Sequence, residues 1–125
     1  MISMREAYEK IGANYDDACA RLMGEEMLAR FALKFLDDES MDKLEAAMAA
    51  GDTEEAFMAA HTLKGVSQNL GFDNLYEPAV VVTEALRGAD AVDGAREGMH
   101  ALQQQYAATM SAPVSYTHLS CRRLN

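Results

Sequence analysis

Signals that begin and end helices recur along this chain, and they constrain its fold more than any other feature. Ala, Met, Leu and Glu are abundant, β-branched residues are few, and there are only two prolines. Capping residues and glycines separate apolar-rich segments at helix-like intervals. We therefore predict helices over residues 3–10, 14–23, 25–37, 41–50, 52–70, 73–87 and 91–110.

Four polar residues stand where helices should begin: Ser3, Asn14, Asp52 and Asp73. Each precedes an apolar-rich segment, and its side chain can accept a hydrogen bond from a free N–H of the first turn. Pro78 must then lie in the first turns of its helix, because a proline farther inside would break the helix.

The helix content favours a bundle. No repeat of 20–50 residues is visible, which argues against a solenoid. We expect an all-α fold, an antiparallel up-and-down four-helix bundle with a short N-terminal helical cap, over residues 1–110. Six residues of the third helix should form its inner stripe: Met27, Leu28, Phe31, Leu33, Phe35 and Leu36.

The last fifteen residues, 111–125, differ from the rest. They contain no acidic residue and no helical periodicity, and Pro113 ends the preceding helix. The stretch from Pro113 to Leu119 looks like translated cloning or sequencing-adaptor sequence. We expect an irregular, non-native tail that takes no part in the fold.

Charge and hydropathy exclude several classes of protein. The net charge is −9, and residues 1–110 hold nine basic against all twenty acidic residues, a net −11. This balance argues against nucleic-acid binding. No apolar run is long enough to span a membrane, and no signal peptide is apparent. We expect a cytoplasmic chain with Cys19 and Cys121 reduced.

The helix predicted for residues 52–70 carries the most informative residue, His61. At about 100° per residue, His61 shares a face with Glu54, Gly65 and Gln68 and should project into solvent. Imidazole is largely uncharged near neutral pH, which leaves one ring nitrogen available as a nucleophile. The opposite, core-facing side consists of Ala56, Ala59, Ala60, Leu63, Val66, Ser67 and Leu70.

The neighbours of His61 suit phosphate chemistry. Lys64, three residues on, can place its charge near a phosphoryl group. Gly65, four residues on, costs about 1 kcal/mol against alanine in a helix, and clearance for an incoming protein would explain it. Phe57 and Met58 could form an apolar rim for docking. Taken singly, each is an ordinary surface or packing residue, and only the joint pattern favours function.

The run His61-Thr62-Leu63-Lys64-Gly65, followed by Ser67 and by Leu70-Gly71, resembles the signature of the histidine-phosphotransfer (HPt) family. The preceding turn Ala49-Ala50-Gly51-Asp52 is also similar to that family's approach to its histidine. The resemblance covers residues 25–88 well and the flanking helices loosely.

The resemblance implies a phosphocarrier. His61 would accept a phosphoryl group from a receiver aspartate or a histidine kinase, or hybrid kinase, and pass it to a receiver domain. Lys64 would stabilise the phosphate and Gly65 would give access. Such a module needs no cofactor or metal of its own and is not an independent enzyme. We expect a monomer that binds neither nucleic acid nor membrane.

This sequence departs from the family's pattern at the residue that orients the histidine ring. Many members place Gln or Glu 22 positions after the histidine, where this chain has Thr83. Thr83 has a shorter side chain, so the role could pass to Gln68, Glu84 or water.

Two other readings stay open. One is a helical interaction module without phosphotransfer, and the other is a phosphoacceptor domain cut from a larger histidine kinase. A metal- or haem-binding bundle would need inward-facing His or Glu-x-x-His pairs, and we expect no such pair to face the core.

Overall fold

The computed structural model describes residues 3–111. In this range it contains seven α-helices, one short 3₁₀ helix at Asp93–Ala95, and no strand. The all-helical prediction is thus confirmed. The helices are α1 Met4–Ile11, α2 Tyr15–Leu22, α3 Glu25–Phe35, α4 Ser40–Ala50, α5 Thr53–Asn69, α6 Asp73–Leu86 and α7 Arg96–Ser111.

Three of the four predicted caps are confirmed. The side chains of Ser3, Asn14 and Asp52 each accept a hydrogen bond from a backbone N–H in the first turn of α1, α2 and α5. The Ser3 cap also forms the reciprocal contact of a capping box. Local hydrogen bonds therefore set these three helix starts.

The cap predicted at Asp73 is wrong. Asp73 is the first residue of α6, the preceding residue is Phe72, and no side chain caps this helix. The reason is the tight turn out of α5. Gly71 has φ +68°, and the N–H of the buried Phe72 donates to the Ser67 carbonyl at 2.9 Å. Burial of the Phe72 ring thus determines where α6 begins.

The N-terminal helices are joined to the end of α5. The buried Tyr8 hydroxyl donates to the Leu70 carbonyl at 2.6 Å, and the Asn14 N–H donates to the Gly71 carbonyl at 2.7 Å. A side chain at Gly71 would collide with the Asn14 carbonyl and with Ala18. Only glycine permits this approach at a positive φ.

Helix α5 lies between α4 and α6, and α6 packs in turn on α7. Gln103 of α7 donates to Glu45 of α4 at 2.9 Å, which brings the first and last of these four helices together. A cluster of aromatic rings fills the core between them and the N-terminal helices: Tyr8, Phe35, Phe72 and Tyr106.

The inner stripe predicted for α3 is partly wrong. Leu28 and Phe35 are buried, but Met27 and Phe31 are each 39% exposed and Leu36 is 37% exposed. The buried face includes Ala29 and Ala32 instead. Small residues let the neighbouring helices approach closely, so Met27, Phe31 and Leu36 lie at the edges of this face.

Helix α7 includes Ser111, one residue beyond its predicted end at Met110. A proline disfavours helical backbone at the residue directly before it. Ser111 stands two positions before Pro113, so it can still belong to the helix. The rest of the predicted tail, with His118 and Cys121, lies outside the described residues. No helix within residues 3–111 has the length and apolar character needed to cross a membrane.

Candidate functional site

Helix α5 presents His61 to solvent near its middle, as predicted. Six of the seven residues assigned to the core-facing side are buried, and Val66 is half-buried. The imidazole, on the other side, is exposed, and within residues 3–111 its ring makes no hydrogen bond. An uncommitted ring nitrogen is what nucleophilic attack requires.

The surface beside His61 is open at Gly65. A Cβ built there would meet no atom within 4 Å beyond its own helix and chain neighbours. Gly98 of α7 is the contrasting case, because a Cβ there would lie 3.1 Å from a Val82 methyl group and 3.2 Å from one of Val81. Gly98 is therefore a packing glycine. Gly65 is not, because a Cβ there would meet no neighbouring helix.

Thr83, at the usual ring-orienting position, is buried in α6. Its hydroxyl donates to the Ala79 carbonyl of its own helix at 2.7 Å, a common arrangement for threonine within a helix. Gln68 is exposed and, within the described residues, has no hydrogen bond to His61. Within residues 3–111, neither side chain is hydrogen-bonded to the imidazole.

Glu84 is paired with Arg87, which directly follows the last residue of α6. Arg87 Nη2 donates to Glu84 Oε2 at 2.8 Å, and Arg87 Nε lies 3.2 and 3.3 Å from the two carboxylate oxygens. These hydrogen bonds, with a smaller contribution from the charge of Lys64, hold the pKa of the Glu84 carboxyl below its ordinary value. Glu84 therefore forms its ion pair with Arg87 and interacts more weakly with the charge of Lys64.

Phe57 connects this ion pair to the histidine. Its ring centroid lies 5.9 Å from that of His61, with the two planes tilted by 35°, and the Arg87 guanidinium lies 5.1 Å from the Phe57 centroid. Sequence reasoning did not assign Arg87 to the site. Its spacing of three from Glu84 was the only available signal. Met58 is 60% exposed and extends the apolar surface next to Phe57.

A comparison with known families decides which family the chain belongs to. The model of the Hpt domain matches residues 26–112, which include all of α4 to α7 and nearly all of α3. This chain belongs to the Hpt domain family. Domains of this family are helical phosphocarrier modules of phosphorelays, and they interact with kinases and response regulators. No curated protein and no solved structure matches the chain significantly.

Two histidines of the Hpt domain fall within the described residues, and they have different surroundings. His61 has Lys64 and Gly65 one turn on, whereas the exposed His100 of α7 is followed there by Gln103 and Gln104.

Across residues 3–111, no three His, Cys, Asp or Glu side chains come together as a metal site would need. Cys19 has a free thiol.

Proposed function

We propose that this Hpt domain carries a phosphoryl group on His61 between a phosphorylated receiver domain or histidine kinase and a second receiver domain. The observation that carries the proposal is the exposed imidazole on α5, with its ring nitrogens uncommitted and open space at Gly65. It lies inside the stretch that matches the family model.

The transfer would be a displacement at phosphorus. The lone pair of one imidazole nitrogen forms the N–P bond, the P–O bond to the receiver aspartate breaks, and the carboxylate leaves with that electron pair. The other ring nitrogen keeps its proton, so the phosphorylated ring is cationic and becomes a good leaving group. The reverse displacement by the next aspartate restores neutral imidazole.

Lys64 and Gly65 would assist this transfer in different ways. The Lys64 ammonium, one turn from the imidazole, supplies positive charge to the phosphoryl oxygens. Gly65 leaves room for the receiver to bring its aspartate within bonding distance. Phe57 and Met58 offer the apolar surface on which the receiver docks.

The architecture belongs to the same proposal. We assign α4 to α7 to the up-and-down antiparallel four-helix bundle and the preceding helices to its cap. The successive packing of α4, α5, α6 and α7 and the Glu45–Gln103 hydrogen bond support this assignment. A monomeric, cytoplasmic domain over residues 1–110 completes the proposal.

Intact-mass measurement after incubation with a phosphorylated receiver tests the function. The wild-type chain should gain the mass of one phosphoryl group, and His61→Gln should gain none. His100→Gln is the matched control and should be labelled like the wild type. Label that persists in His61→Gln would refute the assignment.

The same experiment separates the two other readings. An interaction module would bind the receiver without any gain of mass. A phosphoacceptor domain from a larger kinase would be labelled at His61 by that kinase and ATP faster than by any phosphorylated receiver.

A further inference from the structure

The imidazole of His61 has no hydrogen-bonding partner to orient it within the described residues. The Thr83 hydroxyl donates its hydrogen bond to the Ala79 carbonyl, and the Glu84 carboxylate accepts hydrogen bonds from Arg87. An exposed histidine that is free to change rotamer points its nucleophilic nitrogen at an incoming phosphoryl group only part of the time. A different contact would have to restrict the ring.

Phe57 makes that contact. It lies four residues before His61, a spacing at which two side chains meet on one helix face. The centroid separation of 5.9 Å and the 35° tilt are within the range of attractive aromatic pairs. Phe57 is half-buried, with its ring packed against the core, so it is the less mobile partner.

Arg87 is the second neighbour of the Phe57 ring. Its guanidinium lies 5.1 Å from the ring centroid, within the distance of a cation–π interaction. Three hydrogen-bond contacts to Glu84 hold the guanidinium in this place. A continuous set of contacts thus runs from Glu84 through Arg87 and Phe57 to His61, from α6 across to α5.

We propose that Phe57 is the positioning residue for the His61 imidazole, and that Arg87, held by Glu84, acts by fixing the Phe57 ring. The inference rests on the proposed function and specifies how the ring is oriented where the usual Gln or Glu is replaced by Thr83. A tilted aromatic contact takes the place of the hydrogen bond. Glu84 then contributes indirectly, through Arg87.

Phosphorylation by phosphoramidate tests the proposal without a docked partner. This small donor needs no protein surface, so a residue that only docks the receiver would not affect its rate. We expect Phe57→Leu to slow His61 phosphorylation about three- to tenfold with both phosphoramidate and a phosphorylated receiver. Phe57→Tyr, which keeps the ring, should react within about twofold of the wild type. A Phe57→Leu variant slowed with the receiver alone would overturn the proposal in favour of docking.

The NMR signals of His61 report ring position independently of rate. In the wild type, the imidazole protons should show a ring-current shift and nuclear Overhauser contacts to Phe57. The three-bond coupling constants between the His61 Hα and Hβ protons should show one predominant side-chain rotamer in the wild type and in Phe57→Tyr, and averaging over rotamers in Phe57→Leu. A purely structural role would change the melting temperature and leave these couplings in place. Unchanged His61 couplings in a folded Phe57→Leu would refute positioning.

Arg87→Ala tests the second half of the proposal. It should move the His61 signals in the same direction as Phe57→Leu, to a smaller extent. The matched control is Arg96→Ala, because Arg96 forms an exposed pair with Asp93 at the same spacing of three residues, at 3.1 Å. Arg96→Ala should leave the His61 signals unchanged.

The double variant separates indirect from direct action of Arg87. If Arg87 acts through the ring, Phe57→Leu with Arg87→Ala should be no slower than Phe57→Leu alone. A further loss of rate in the double variant would mean that Arg87 contacts the phosphoryl group itself and would overturn its indirect role.

If the wild type reacts with phosphoramidate but with no phosphorylated receiver or kinase, the proposed function fails while the positioning result stands.

Discussion

Lys64 lies on α5 one turn from His61, with its charge close enough to the Glu84 carboxylate to lower that group's pKa. Charge-assisted contacts to phosphate are strong, but exposure to solvent weakens them. The lysine should therefore assist transfer without being indispensable.

We expect Lys64→Ala to slow phosphotransfer, or to shorten the lifetime of the phosphohistidine, about several-fold. The fold should not change, because Lys64 lies outside the core. Lys43→Ala is a suitable control, since Lys43 is an exposed lysine of α4 that pairs with Glu39 at 3.8 Å. Wild-type rates and lifetimes in Lys64→Ala would count against any role for this cation.

Within α5, Gly65 is the residue to which we assign access to the imidazole, and it should lower the stability of the helix. A glycine inside a helix costs about 1 kcal/mol relative to alanine, and no packing contact at Gly65 offsets that cost. Stability and access should therefore respond differently to substitution at this position.

Gly65→Ala should raise the free energy of unfolding by up to about 1 kcal/mol. Gly65→Gln should obstruct the receiver and slow transfer sharply while the helix stays intact. Thermal unfolding and receiver-dependent phosphorylation measure the two effects. Gly98→Ala is the contrast, because the added Cβ would press on two valine methyl groups. Its free energy of unfolding should therefore rise less than that of Gly65→Ala, or should fall. A clearly destabilised Gly65→Ala would mean that this face of α5 is buried.

For the molecule as a whole, the first two helices are the distinctive part. The family match begins at residue 26, so α1 and α2 lie before it. Long-range contacts hold them in place, chiefly the buried hydrogen bond from Tyr8 to the Leu70 carbonyl and the close approach of α2 to Gly71. These contacts stabilise the end of α5 and leave the His61 face uncovered.

Tyr8→Phe should lower the free energy of unfolding by about 1–3 kcal/mol, because the buried Leu70 carbonyl loses this donor. Phosphotransfer per folded molecule should be unchanged, since Tyr8 lies in the core away from the exposed face of α5. Tyr76→Phe provides the control, as the Tyr76 hydroxyl makes no hydrogen bond within residues 3–111. Equal denaturation midpoints for the two variants would mean that the Tyr8 hydrogen bond adds nothing to stability.

The features that the sequence determined by itself are local ones. Ser3, Asn14 and Asp52 cap their helices through hydrogen bonds to residues three positions away, so their neighbours along the chain suffice to predict them. The exposure of His61 follows from the 3.6-residue period of α5, which places alanines and Leu63 on the opposite side. The family could be named from the sequence because its signature lies on this one helix.

The remaining features depend on which helices become neighbours and how closely they approach. Burial of Phe72 moved the start of α6 away from an Asp73 cap, and the alanines of α3 displaced Phe31 to the edge. The contact between Arg87 and Phe57 joins residues 30 positions apart, one on α5 and the other directly after α6. Helical periodicity gives the direction of each side chain about its own axis, but only tertiary packing sets the distances between axes, and those distances decide which side chains meet at His61.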